Sequence, residues 1–356
     1  MNLEDIGYNS IIDTYVEDNG LDKSNIGRVI AVYKDRYLVR TDSHNLKSNI
    51  TGNLQYSIDN QTELPVVGDW VHLRKFDNSM ALITDVLPRH NFLERRAVGK
   101  RSDSQLIASN IDYGLIIEAI TENFNLNRIE RYITICNSAN VSPVLLLTKT
   151  DLIKDLELEA IIDSTKHRIA SVPLFAISNV TKVGINGFKS SLIKGRTYCL
   201  LGLSGVGKST LINNLMSKKV LKTSAISEST KKGVHTTSHR QLFLINGGSI
   251  FIDNPGMREV GVTDATNSLE VTFDKISNLA ESCHFNDCTH THEKDCAVLI
   301  AIEKSELEQA AYENYLKMKK EQFHYQATLA EKKKRDKTFG KMIKTVMKNK
   351  KSEKFV

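Results

Sequence analysis

The chain has 356 residues, 40% of them hydrophobic and 25% charged, with a net charge of +6. Such a length exceeds one ordinary core and predicts a multidomain globular protein, and the balanced composition excludes a fibrous or wholly disordered chain. No apolar run approaches the ~18 residues that a bilayer span needs, and Met1-Asn2-Leu3-Glu4-Asp5 carries no apolar signal core, so the expectation is a cytoplasmic protein without a membrane partner.

Residues 1–24 are polar and acidic and read as a weakly ordered extension or a short helix. From residue 27 short β-type segments follow: Gly27 to Tyr33, Arg36 to Arg40 and Asp69 to Leu73, separated by turn-rich stretches such as Ser57-Ile58-Asp59-Asn60 and Phe76-Asp77-Asn78-Ser79. This pattern predicts a small barrel, and it leaves an OB-type and an SH3-like barrel both open. From Asn110 onward strands and helices alternate. Tyr113 to Ile117 is a buried strand, and Asn127 to Ala139 has helical period, with Ile129, Tyr132, Ile133 and Cys136 on one face. Strands are also predicted at Val144 to Leu147, Val172 to Ile177 and Thr197 to Leu201. Arg240 to Ile245 and Ser249 to Asp253 flank Asn246-Gly247-Gly248, a hairpin signal. The whole predicts a three-layer α/β domain with a mainly parallel sheet. After about residue 262 the chain becomes helical and Cys/His-rich, and from Ser305 Leu307, Ala310, Ala311 and Tyr315 stand at helical spacing.

Three nucleotide motifs sit on this frame. Gly202-Leu203-Ser204-Gly205-Val206-Gly207-Lys208-Ser209, followed by Thr210, is a phosphate-binding loop between a strand and a helix. Its glycines let backbone N–H groups wrap an anion. Lys208 is suited to the β- and γ-phosphates, and the Ser209 hydroxyl to Mg²⁺. Asp253 ends an apolar strand 44 residues after Ser209 and begins Asp253-Asn254-Pro255-Gly256, where Asp253 is suited to Mg²⁺ and the Gly256 N–H to the γ-phosphate. Between them, His235-Thr236-Thr237 offers two hydroxyls, either of which could sense metal and γ-phosphate. Thr148-Lys149-Thr150-Asp151 reads as a guanine motif: Asp151 can accept from guanine N1 and N2, and the Lys149 stem can lie along the base. Ser178-Asn179, after the next strand, is placed for backbone contact to guanine O6. In an ordinary small GTPase the phosphate loop comes first. Here the guanine motif precedes it, which is the order of a circularly permuted GTPase. Met257 occupies the place of a water-orienting glutamine and cannot hold water. Intrinsic hydrolysis is therefore expected to be slow, with Lys208 and Mg²⁺ supplying most of the stabilisation, and His235, or a group supplied by a macromolecular partner, is expected to position the water.

Three of the five cysteines crowd into residues 283–296. Cys283-x4-Cys288-x-His290-x5-Cys296 supplies three thiolates and an imidazole, a closed tetrahedral set for one structural zinc, with His284 and His292 as nearby competitors. Residues 331–356 hold eleven Lys/Arg against Glu331, Asp336 and Glu353, a local balance of +8 that leaves −2 for the rest of the chain. A basic tail on a neutral body suggests a polyanionic partner.

These residues resemble the ribosome small-subunit-dependent GTPase A family of bacterial assembly factors, from about Gly27 to Tyr315. Pro65-Val66-Val67-Gly68-Asp69-Trp70-Val71 looks like that family's barrel signature, and Gln105 to Asp112 like the lead into its GTPase domain. The phosphate loop, His235-Thr236-Thr237 and the Cys/His spacing match it as well. The resemblance implies an OB-type barrel, a permuted P-loop GTPase domain and a zinc-binding helical domain. The corresponding limits are 1–24 for the extension, 25–98 for the barrel, 99–262 for the GTPase, 263–330 for the zinc domain and 331–356 for the tail. It further implies GTP hydrolysis, with GTP/GDP and Mg²⁺ bound, stimulated by the small ribosomal subunit late in its maturation, with rRNA as a partner and a monomeric protein. Two positions depart from the pattern. Thr148 stands where asparagine is usual and lacks the amide that braces the loop, and Asn179 stands where alanine is typical. Two other readings use the same motifs: an RNA-binding scaffold with GTP as a structural ligand, and a metabolic P-loop kinase. The guanine motif disfavours the kinase, and the complete Lys208, Ser209 and Asp253 set disfavours the scaffold.

Overall fold

The computed structural model describes residues 2–34, 36–57, 61–96, 104–218, 220–221, 240–254, 268–323 and 334. The chain divides into two compact units, Met1–Gly261 and Val262–Val356.

The first unit begins with helix α1 (Ser10–Asp18), where the Asn9 side chain accepts from the N–H groups of Ile11 and Ile12 and so caps the helix start. Its buried Ile12 and Val16 pack with Ile6, Tyr8, Ile26, Trp70 and Leu87, and Tyr8 meets Trp70 edge-on at 5.3 Å. The N-terminal stretch is thus the short helix of the two sequence expectations, and the weakly ordered alternative fails because Trp70 and Leu87 offer it a core.

Five strands close a barrel: β1 (Ile26–Val32), β2 (Tyr37–Arg40), β3 (Asn45–Ile50), β4 (Trp70–Lys75) and β5 (Met80–Val86). A short helix α2 (Gly52–Ser57) follows β3. The strand order is β1-β2-β3-β5-β4 with β4 returning to β1, and β3 pairs with β5 in parallel. That closure is OB-like and separates the barrel from the SH3-like alternative. Val29, Val39, Leu46, Val71, Leu73, Ala81 and Ile83 fill it. The Pro65–Val71 stretch has a steric reason: Gly68 has φ +100°, and a Cβ there would lie 2.1 Å from Ser109 O. Beside it buried Asp69 accepts a bidentate pair from Arg89 at 2.8 and 2.7 Å and bonds from the Val66 N–H and the Ser109 hydroxyl.

A hairpin of β6 (Phe92–Arg96) and β7 (Ser104–Ser109) leads into the GTPase sheet. Its strands are β8 (Tyr113–Ala119), β9 (Ser142–Thr148), β10 (Leu174–Ala176), β11 (Thr197–Leu201), β12 (Arg240–Leu244) and β13 (Ile250–Asp253). The order is β10-β9-β8-β11-β13-β12, parallel except for β12, which pairs antiparallel with β13 as the hairpin signal predicts. Four helices flank it: α3 (Leu126–Ser138), α4 (Asp155–Arg168), α5 (Ile185–Ser191) and α6 (Lys208–Met216). Residues alternate between faces along β9. Leu145 and Leu147 join the core under α3 and α4, whereas Val144 and Leu146 join the core under α5 and α6. This is the expected three-layer arrangement. β12 also pairs antiparallel with β1, Ala31 facing Gln241 and Val32 facing Arg240, so the barrel and the GTPase sheet are hydrogen-bonded into one surface.

The second unit contains α7 (Ser268–Thr272), α8 (Asp274–Ala280), α9 (Ala297–Glu303) and a helix α10 over 309–323. Leu269, Phe273, Ile276, Val298, Leu307, Tyr312, Tyr315 and Met318 form its core. Of the residues at helical spacing, Leu307, Ala311 and Tyr315 are buried and Ala310 is exposed. No helix of the described residues is long and apolar enough to cross a membrane.

Candidate nucleotide and metal sites

The phosphate loop sits at the C-terminal end of β11, flanked by β8 and β13, at a place where parallel α/β sheets bind ligands. Gly202, Gly205 and Gly207 all have positive φ, at +147°, +83° and +101°. At Gly202 a Cβ would stand 2.3 Å from Ile117 O, so glycine is required there by close approach as well as by backbone conformation. Val206 is buried and anchors the loop in the core beneath it, while Leu203, Ser204 and Gly205 line its outer turn. Lys208 Nζ lies across the loop, donating to Gly202 O at 2.8 Å and Leu203 O at 2.7 Å. Ser209 and Thr210 follow in the first turn of α6, whose positive end faces the loop.

Asp253 terminates β13, with its backbone beside Leu200 of β11. It is buried, and its Oδ1 has no hydrogen-bond partner among the described residues. Burial raises its carboxyl above the ordinary range, and Lys208 opposes that shift. A buried, unpartnered carboxylate oxygen beside the phosphate loop is costly for the fold unless a cation completes it. This is what a Mg²⁺ position next to Ser209 would look like.

The two base loops lie at the ends of β9 and β10. Lys149 adopts a left-handed backbone (φ +61°) that turns the chain from Thr148 into Thr150 and Asp151. Asp151 is exposed at the rim, and its Oδ1 accepts from the Ser178 hydroxyl at 2.5 Å. Ser178 Oγ in turn accepts from the N–H groups of Val180 and Thr181. The Ser178 N–H donates to Val183 O at 3.0 Å. The brace expected to be missing at Thr148 is present in another form. Its hydroxyl donates to Val206 O at 2.7 Å, because a short β-branched side chain at the end of β9 is already in reach of the phosphate loop.

Cys283, Cys288, His290 and Cys296 converge so that their ligand atoms all lie within 4.8 Å of one another. Cys283 Sγ is 3.8 Å from Cys296 Sγ, and both sulfurs are 3.5 Å from His290 Nδ1. Tetrahedral zinc bonds imply separations of about 3.8 Å for two thiolates and about 3.5 Å for thiolate and imidazole. Two sulfurs 3.8 Å apart are also far outside the ~2.05 Å of a disulfide. Burial lowers the His290 pKa, which favours the neutral ring that a metal takes. Tyr312 from α10 donates to His290 O at 2.5 Å, and Glu293 accepts from the Thr289, Thr291 and His292 N–H groups, tying the loop. His284 and His292, the competitors, are outside this cluster: His284 packs edge-on against Phe285, and His292 bonds Thr291.

His235, Thr236, Thr237, Gly256 and Met257 lie outside the described residues, as does the basic tail except Lys334.

Against this geometry, the family model of RsgA GTPase matches residues 86–263. The model described as 50S ribosome-binding GTPase matches residues 197–332. A small ribosomal subunit biogenesis GTPase RsgA 1 from Bacteroides thetaiotaomicron is 40% identical over 325 residues, covering 91% of this chain and 90% of the relative. The chain belongs to the RsgA GTPase family. RsgA 2 of Listeria monocytogenes serotype 4b is 39% identical over 325 residues, with 91% and 90% covered. Among solved structures, YjeQ from Thermotoga maritima has a TM-score of 0.62 at 23% identity, over 83% of this chain and 96% of that one. YloQ, a circularly permuted GTPase, has a TM-score of 0.57 at 22% identity, over 82% and 92%. Those two likenesses concern the fold. Family membership makes the chain a GTPase and sets aside the scaffold and kinase readings.

Sequence reasoning missed several residues that contact the loops around the candidate site. Lys182 donates to Asn179 O at 2.8 Å and to Asn214 Oδ1, and Asn214 of α6 donates back to Asn179. Glu118, buried at the end of β8, pairs with Arg128. The position of Lys182 four residues after Ser178 was a usable signal. Asn214 had none, since its role depends on which face of α6 meets the base loop.

Proposed function

We propose that this GTPase acts in biogenesis of the small ribosomal subunit, in the cytoplasm, with rRNA as a partner and as a monomer. The observation that carries the reading is the convergence of the guanine and phosphate loops at one sheet edge in a permuted chain whose curated relatives bear that name. Asp151 and Lys149 recognise guanine, with Thr148, Thr150, Ser178 and Asn179 shaping the loops around it. The backbone of residues 202–210 wraps the phosphates, and Lys208 neutralises charge that develops on them. Ser209 and Asp253 would hold Mg²⁺, which would offset charge on the phosphates. Thr236 or Thr237 and Gly256 sense the γ-phosphate, and His235 orients the water. Cys283, Cys288, His290 and Cys296 hold one structural zinc. The domain limits read from the sequence and the role of the basic tail in phosphate contacts belong to the same proposal.

GTP turnover measured with and without purified small subunits tests it. Strong stimulation by the subunit is expected, and equal rates would overturn the assignment. Replacing His235 by alanine should abolish the stimulated component, and unchanged stimulated turnover would remove that residue from the mechanism.

A further inference from the structure

Two side chains from the base loops end on consecutive carbonyls of the phosphate loop. Thr148 Oγ1 donates to Val206 O at 2.7 Å, and Asn179 Nδ2 donates to Gly207 O at 3.3 Å. A peptide unit is planar and trans, so its carbonyl and the N–H of the following residue point in opposite directions. Holding the Val206 carbonyl therefore aims the Gly207 N–H away from Thr148. Holding the Gly207 carbonyl does the same for the N–H of Lys208. These N–H groups belong to the last turn of the loop and the start of α6, and the N-terminus of a helix favours an anion. The Gly207 carbonyl also accepts from the Leu211 N–H at 2.9 Å, so Asn179 adds a second hold on a peptide that starts from a left-handed residue at φ +101°. The approach from Asn179 is close: a Cβ on Gly207 would stand 2.8 Å from Asn179 Nδ2.

Asn179 is itself held. Asn214 Nδ2 donates to its Oδ1 at 3.0 Å and to its carbonyl at 3.1 Å. Lys182 Nζ donates to the same carbonyl at 2.8 Å and to Asn214 Oδ1. The Asn179 side chain, 8% exposed, thus has one end on α6 and the other on the loop that starts α6. Its neighbour Ser178 holds Asp151, so a single short loop touches the guanine-recognising carboxylate and the phosphate cradle.

We infer that Asn179 is a positioning residue for the nucleotide phosphates: with Thr148 it fixes the two peptide planes whose N–H groups face the anion, and so makes the guanine loops and the phosphate loop one unit. The inference rests on the nucleotide-site reading above and names the residues that determine how tightly that site holds its ligand.

Release of a fluorescent GDP is measured from the full-length wild-type protein, Asn179→Ala and Thr148→Val. Binding by the wild type tests the nucleotide site, and the variants test the clamp. Loss of one such hydrogen bond should accelerate release about three- to tenfold in each variant. Affinities for GDP and IDP separate the clamp from simple support of the base loop, because inosine lacks the 2-amino group that Asp151 can accept from. If the clamp acts on the phosphates, both nucleotides weaken by the same factor and the preference for GDP over IDP keeps its wild-type value in both variants. Unchanged release, or a preference for GDP that shrinks toward that of a protein without a base contact, would overturn it.

Discussion

Around the phosphate loop, the backbone is pinned from both sides by large cores. Val206 is buried with Leu211, Ile212 and Leu215 on one face of the sheet, and Cys199 and Leu201 are buried on the other. Around Cys283 the elements are short: α7, α8 and α9 have five, seven and seven residues. Isolated helices of that length are marginal in water, and two of the four cluster residues, Cys296 and His290, are themselves buried. In the first region a packed fold holds a site whose ligand comes and goes. In the second, the ligand set is part of what holds the fold. The same contrast separates two of the buried carboxylates of the first unit. Glu130 is paired with Arg168, whereas Asp253 keeps an oxygen without a partner among the described residues, as the proposed metal role requires.

The largest effect expected from this contrast is on metal removal. Structural zinc in small modules is worth roughly 10 kcal/mol or more. A strong chelator should abolish the helical signal of 268–323 and open it to proteases, while GDP binding by the first unit persists. Native-like protection after zinc loss would collapse the distinction between the regions. Next is Glu130→Gln, which leaves the Arg168 guanidinium buried without its counter-charge and should cost ~3–5 kcal/mol. Urea denaturation would report the loss, with zinc content unchanged at about one per chain. Lys208→Ala should reduce GTP turnover by about 10²–10³-fold with a much smaller change in the unfolding midpoint, since its ammonium bonds carbonyls of the loop itself. A similar loss of stability in that variant would mean that the lysine supports the fold. The smallest effect has the opposite sign. Asp253→Asn removes a buried charge that has one oxygen without a hydrogen-bond partner and should raise the stability of the nucleotide-free protein by ~1 kcal/mol while Mg²⁺-dependent GTP binding is lost. A destabilised variant would show that Asp253 has a structural partner instead.

Much of this was readable in residue order. The phosphate loop, the guanine motif and the Cys/His set each depend on spacings of a few residues, and their backbones follow from local requirements such as positive φ at Gly202, Gly205 and Gly207. Strands β8, β9 and β11 were legible because strands buried on both faces read as continuous apolar runs. Strand β3 was not, since Asn45–Ile50 is half exposed and carries only one strongly apolar buried side chain, Leu46. The N-terminal helix was ambiguous because its apolar face becomes meaningful only once Trp70 and Leu87 are beside it.

Local order therefore established the chemistry: a permuted GTPase with a four-ligand metal set. The folded chain decided which groups are coupled. Thr148 and Val206 are 58 residues apart in the chain, and Asn179 and Asn214 are 35 apart, distances over which no spacing rule operates. Their hydrogen bonds exist because the parallel strands β9, β10 and β11 end at the same edge of one sheet and deliver their loops to one place.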